Sequence, residues 1–323
     1  MATSLSGAFT TAVMPIIAVA VVGYLFASVY DIDIDPVNTV GLYIMIPALA
    51  FHSIATTQLG GGEVMKLTAG VVGYAAIMVV IAGAIGRFVG TSETLLGALM
   101  LASAFPNSGF IGIPLSEFAF GEIGRTTAVL YLTIQNVVVY TLGVYIASRG
   151  TDRDPRESVL EIFRLPLIYA VILAVLFRVL GVLPTNGGAT AGAIMDTIQI
   201  VGDASIPLML LIVGMKLAET DIQALSKTVT PTVLKLGVAP VVAFGIALVL
   251  GFDNLTVART FVLESATPAA TIPLALLIEY SPDVGPDEID PAEYLSTVIF
   301  VTTVLSIGVL TVLVFVFQSE MVF

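Results

Sequence analysis

The sequence predicts an all-α integral membrane fold: ten transmembrane helices forming two inverted five-helix repeats, with broken crossover helices four and nine. Three observations predict it. The chain is 57% hydrophobic and 11% charged, with a mean hydropathy of +1.04, too few charges to clothe a water-facing surface. Its apolar residues fall into ten runs, each near the roughly 20 residues needed to cross the hydrocarbon core. Its mid-run prolines recur at a spacing close to half the chain, as in the internally repeated folds of many secondary transporters.

The runs lie at 8–29, 37–57, 64–89, 94–120, 124–148, 159–180, 189–218, 229–250, 257–280 and 294–317. The first, from Phe9 to Tyr30, is longer than a signal-peptide core and has no basic residue before it, so it reads as a span. The link RGTDRDPRE (149–157) is rich in arginine and divides five spans from five. The domains are therefore 1–148 (first repeat), 149–158 (cytoplasmic linker) and 159–323 (second, inverted repeat).

With ten spans, Arg87, Arg149, Arg153, Arg156, Arg164, Lys216, Lys227 and Lys235 lie toward one face. Lys66, Arg125, Arg178 and Arg259 lie toward the face shared with the termini. The positive-inside bias then places the linker in the cytoplasm of a cell membrane and both termini outside.

Pro47 and Pro207 are 160 residues apart, Pro106 and Pro268 162, and Pro114 and Pro273 159. Each half holds an odd number of spans, so the second must enter from the opposite side. Proline removes a backbone donor and clashes with the preceding turn, so spans four and nine should break. Unwound segments are expected near 106–109 and 268–271, approaching each other at mid-membrane. Irregular backbone at that depth survives only where it is buried in protein or lines a wet cavity. A break also frees a helix N-terminus, which suits an anion. The plainer reading is a pair of kinks used for packing.

Composition excludes other classes. No cysteine and one histidine, His52, leave no thiolate or paired-histidine metal site. No nucleophile–base pair suggests an enzyme, and no cofactor is called for. A net charge of −12 speaks against nucleic acid. Acid-rich links (Asp31, Asp33, Asp35; Asp283, Asp287, Glu288, Asp290, Glu293) and a pI near 4.3 fit adaptation to high salt better than a hard-cation site.

FPNSGFIGIPL (105–115) resembles the fourth-span motif of the auxin efflux carrier family. PALAFHSIATT and ATPAATIPLALLIEYS resemble its second and ninth spans. The resemblance covers nearly the whole chain. It implies a scaffold and dimer interface of spans 1, 2, 6 and 7, and a moving transport domain of spans 3–5 and 8–10. It implies substrates that are mostly organic anions. In the related bile-acid sodium symporters, a glutamate at a place similar to Glu264 binds sodium.

Asn107 is the first candidate for substrate contact, because its amide offers two donors and an acceptor at the break; it matches the family's crossover asparagine and is also a good helix cap. Pro106, Ser108, Thr267, Pro268 and Ala269 flank the two breaks and complete the candidate substrate site. Glu264 lies in a span four residues before Pro268, and a carboxylate at membrane depth is costly and usually functional. It would carry a proton or bind sodium. Gln135 and Asn136 would complete a cation site with it, or merely hold helices together. Asp203 is a second coupling candidate, with helix capping as the plainer role; Asp196 lies on a similar face. Lys235 would attract an anion or snorkel to the interface. His52 reads more readily as a packed histidine than as a relay.

The expected function is secondary transport of a small organic anion by alternating access, elevator type, in a homodimer surrounded by membrane lipid. A bile-acid-type sodium symporter and a ligand receptor without transport are the alternatives.

Overall fold

The computed structural model describes residues 4–57, 59–148, 162–181, 188–220, 222, 225–281 and 289–319. The linker 149–158 and the acids Asp283, Asp287 and Glu288 lie outside the described residues. Regular structure among the described residues is helical: α1 (Leu5–Val29), α2 (Ile34–Thr56), α3 (Gly61–Phe88), α4 (Glu93–Ala104), α5 (Ser108–Ala147), α6 (Pro166–Leu180), α7 (Gly188–Asp203), α8 (Ser205–Glu219), α9 (Leu225–Leu250), α10 (Leu255–Ser265), α11 (Ile272–Tyr280) and α12 (Pro291–Gln318). Seven stretches among them are long and apolar enough to cross a membrane. Large apolar side chains on their outer faces, such as Phe26, Val80, Val249 and Leu305, are exposed, as lipid contact demands.

α5 is 40 residues long, which at about 1.5 Å per residue is roughly twice the ~30 Å hydrocarbon thickness. It is turned at Gly121, whose φ of 68° and ψ of −150° lie in a region open only to glycine. α5 is therefore two limbs joined at a sharp corner. Asp33 caps α2 by accepting from the Asp35 amide.

The helices pack in two groups. α1, α2, α6, α7 and α8 form one, and α3, α4, α5 and α9–α12 the other. The first group is held by small residues. A Cβ on Gly214 would lie 1.8 Å from the Ala20 carbonyl oxygen, so α8 rests directly on the backbone of α1. Links gather at two ends. At one, Lys66 donates to the Gly251 carbonyl and to Asp253, Arg178 donates to the Leu59 carbonyl, and Gln318 donates to the Ala119 carbonyl. At the other, the Tyr294 hydroxyl donates to the Lys227 carbonyl.

Candidate functional site

Two interrupted helical paths meet inside the second group. One stops at Ala104 and resumes at Ser108; the other stops at Ser265 and resumes at Ile272. Between them Pro106 and Ala269 form an antiparallel bridge. The Asn107 amide donates to the Pro268 carbonyl at 2.8 Å, and the Ala270 amide returns the bond to the Phe105 carbonyl at 2.9 Å. Each break thus supplies hydrogen bonds that the other lost by unwinding, which makes the crossing tolerable in a buried place. The first break is shorter than its sequence suggests. Only 105–107 lie outside the helices, and Ser108–Gly112 wind into a π-turn, a wider coil that absorbs the ring of Pro114.

Asn107 holds this turn. Its Oδ1 accepts from the Phe110 amide at 3.3 Å. Gln135 holds the break from α5, donating to the Pro106 carbonyl at 2.9 Å and accepting from the Ser108 hydroxyl at 3.1 Å. Behind the crossing, Glu264 is fully buried. Its Oε1 accepts from the Ser116 hydroxyl at 2.5 Å, and its Oε2 is buried without a hydrogen-bond partner. Gly112 makes the room: a Cβ there would stand 1.9 Å from Glu264 Oε2.

In front of the crossing lies a cavity of about 240 Å³. Pro106, Asn107 and Ser108 line it from the break, Gln135 and Asn136 from α5, and Ala270 and Thr271 from the second break. The first helix group closes it with Asn38 and Tyr43 of α2, Leu167 of α6 and Lys216 of α8. The side-chain nitrogen of Asn107, Nδ2, has no protein acceptor among the described residues, so its hydrogens remain for the cavity while Oδ1 caps the helix.

A family model described as "Membrane transport protein" matches residues 8–315. The chain belongs to this membrane transport protein family. It is the family of the auxin efflux carriers, which the fourth-span motif resembled. An uncharacterized transporter of Methanothermobacter thermautotrophicus is 27% identical over 303 residues, covering 92% of this chain and 95% of the relative. A Rhizobium meliloti protein named "Putative malonate transporter" is 25% identical over 328 residues, covering 96% of each chain.

In this membrane transport protein the remaining candidates fall into separate places. Thr267, Pro268 and Ala269 do not line the cavity. The Thr267 hydroxyl donates to the Glu264 carbonyl, Pro268 spends its carbonyl on Asn107, and the Ala269 amide donates to Thr302. Gln135 is engaged by the break rather than by Glu264. Asn136 lines the cavity and has a buried Oδ1 without a partner.

Asp203 does not cap the helix that follows it, since α8 begins after Ala204 with no side-chain cap. It accepts instead from Arg125 at 2.9 Å, and Arg125 also reaches Glu117 at 3.5 Å. Asp196 is exposed. His52 lies within electrostatic reach of Arg125 and Asp203, away from the breaks.

Lys235 is corrected most. It is fully buried, donating to the Tyr74 hydroxyl at 3.1 Å and to the Ser265 carbonyl at 3.0 Å. It neither snorkels nor lines the cavity. Among the described residues the cation on the cavity is Lys216, which the sequence showed only as a basic residue near a span end.

Proposed function

We propose that this chain is a secondary transporter that carries a small organic anion across the cell membrane by alternating access. The observation that carries the reading is the pair of hydrogen-bonded helix breaks standing at the wall of an open cavity. Binding there sits on backbone that is unwound, polar and held in place from behind. α5 begins at this wall, so the positive end of a helix faces the solute. Pro106, Asn107 and Ser108 are the contacts we assign, and the malonate of the Rhizobium relative's name is the first solute to try.

Ten membrane passes arranged as inverted repeats agree with this. The corner at Gly121 makes the second limb of α5 a pass of its own, each interrupted path makes one (the first being α4 with the first limb of α5), and α7 with α8 makes one. The reciprocal bonds across the crossing are what a two-fold relation between halves produces. The contacts at each end join links that the ten-span reading places on one face. Positive-inside counting puts the termini outside. The two packing groups correspond to a scaffold and an elevator-type transport domain, with α1, α2, α6 and α7–α8 as the homodimer surface. Glu264, with its unpartnered oxygen beside the break, is the coupling site for a proton or sodium.

The test is uptake of radiolabelled carboxylates, malonate first, into proteoliposomes with and without a sodium or proton gradient. Asn107→Ala removes both amide donors. Its expected effect is a loss of about 1–3 kcal/mol of binding, roughly five- to 150-fold in Kd, with folding intact. Unchanged affinity would reduce Asn107 to a cap. Binding without flux in the wild type would make the protein a receptor. Sodium-driven uptake of a bile acid would favour the symporter alternative.

A further inference from the structure

We propose that Lys216 supplies the countercharge for the substrate's carboxylate, and that it does so only while the helix crossing stands at this end of the molecule. The proposal rests on the organic-anion reading above and names the charge that reading needs.

Lys216 occupies the last turn of α8 and is only partly exposed. Its ammonium lies 5.6 Å from the centre of the ring of Phe110, the third residue of the turn that Asn107 caps. No described residue accepts a hydrogen bond from it or pairs with it within 4.0 Å. The nearest acids, Asp35 and Glu219, bear on it electrostatically without reaching it. Among the described residues that line the cavity, Lys216 is the one cation, and no carboxylate lines it. A partly desolvated ammonium facing a cavity without a counterion lowers the cost of bringing a carboxylate there. Other basic residues are spent elsewhere: Lys235 inside the second group, Arg125 on Asp203.

The sidedness follows from what carries each partner. Asn107 and Phe110 belong to the second helix group. Lys216 belongs to α8, which Gly214 and Ala20 press against α1 in the first group. Any motion that carries the crossing away from the ends of α2, α6 and α8 separates the solute from this ammonium while it stays on Asn107. The attraction therefore favours loading from one face and is left behind during transport.

A charge series tests this: malonate, malonamate and malonamide, with acetate, butyrate and succinate beside them, titrated against purified wild type, Lys216→Met and Lys216→Arg. Melting curves of the variants check that each is folded. Lys216→Met is expected to weaken carboxylate binding at least tenfold. Lys216→Arg, which keeps the charge, should stay within a few-fold of wild type, and malonamide should respond to neither change. In oriented proteoliposomes, the Lys216→Met loss should appear in half-saturation from the cavity's open face and not from the other. Wild-type carboxylate affinity in folded Lys216→Met overturns the role of Lys216 and leaves the anion reading standing. A wild type that binds none of the carboxylates, or binds malonamide as well as malonate, overturns the anion reading and Lys216 with it. An equal loss from both faces overturns the sidedness.

Discussion

Glu264 reaches the crossing with the Ser116 hydroxyl bonded, the Ser108 hydroxyl nearby and, among the described residues, no cationic partner. Its carboxyl is fully buried, one oxygen takes the Ser116 hydroxyl, and the other presses on the backbone at Gly112. A charge so placed must be neutralised by a proton or a bound cation. Glu264→Gln keeps the shape and an oxygen for Ser116 but takes up no ion. The expected outcome is a variant that still binds substrate while the sodium or proton dependence of binding is gone. Wild-type ion dependence in that variant would make Glu264 structural.

The placing of Glu264 and Asn107 beside the breaks was legible in the sequence for one reason: an acid at span depth and an amide between two prolines stand out in apolar surroundings, next to the prolines that interrupt the helices. The sequence favoured Lys235 over Lys216 as the anion-attracting lysine. Lys216 stands in the last turn of its helix and Lys235 inside its own, but what decides their roles is tertiary. Tyr74 and Ser265, which sequester Lys235, are 161 and 30 residues away along the chain. The partner of Asp203 was hidden likewise, since Arg125 lies 78 residues off.

At the level of elements, proline explains most departures from regular helix. Pro15, Pro47, Pro114 and Pro240 each stand two residues after the end of a π-turn, at Phe9–Val13, Gly41–Met45, Ser108–Gly112 and Leu234–Val238. The ring cannot sit beneath the carbonyl four residues back, and a wider turn moves that carbonyl aside. The sequence therefore marked where helices would be disturbed. It overestimated how far, because a π-turn absorbs the ring without unwinding. A fifth π-turn, Val139–Gly143, has no such proline, and nothing in its sequence accounts for it.

The corner in α5 was placed by length alone, since a run of that extent must fold back, and Gly121 is where it does. Its backbone is closed to any residue with a Cβ. Gly121→Ala is expected to cost about 1–3 kcal/mol and lower the melting temperature of purified protein. Gly73→Ala, within α3 and with open space around the new methyl, is the control, expected to be neutral or stabilising by up to about 1 kcal/mol. Equal behaviour of the two would show that the corner carries no strain.

For the whole molecule, the cavity and the Arg125 pair lie at opposite ends of the same seam. The cavity takes its first-group lining from the beginning of α2, the beginning of α6 and the end of α8, so it opens toward the end where Tyr294 meets Lys227. Arg125 stands in the first turn after the Gly121 corner, near the end where Gln318 meets Ala119. From the second helix group it reaches Asp203 in the first. Thr126 beside it touches the Ser53 carbonyl of α2 at 3.5 Å. The seam is thus closed by an ion pair at one end and open at the other, the asymmetry that the proposed alternating access requires of a single state.

If that pair is a latch, the opposite state must break it, and weakening it should populate that state. Asp203→Asn leaves Arg125 with Glu117 alone and removes the charge that bridges the groups. The chain has no cysteine, so Thr126→Cys gives a single reporter, buried at 1% exposure in the closed seam. In Asp203→Asn its labelling by a membrane-impermeant maleimide should rise several-fold over the Asp203 background. The exchanged pair, Arg125→Asp with Asp203→Arg, should bring it back, because the reversed charges still attract across the same gap. Labelling that does not change in Asp203→Asn would mean that apolar packing alone closes this end.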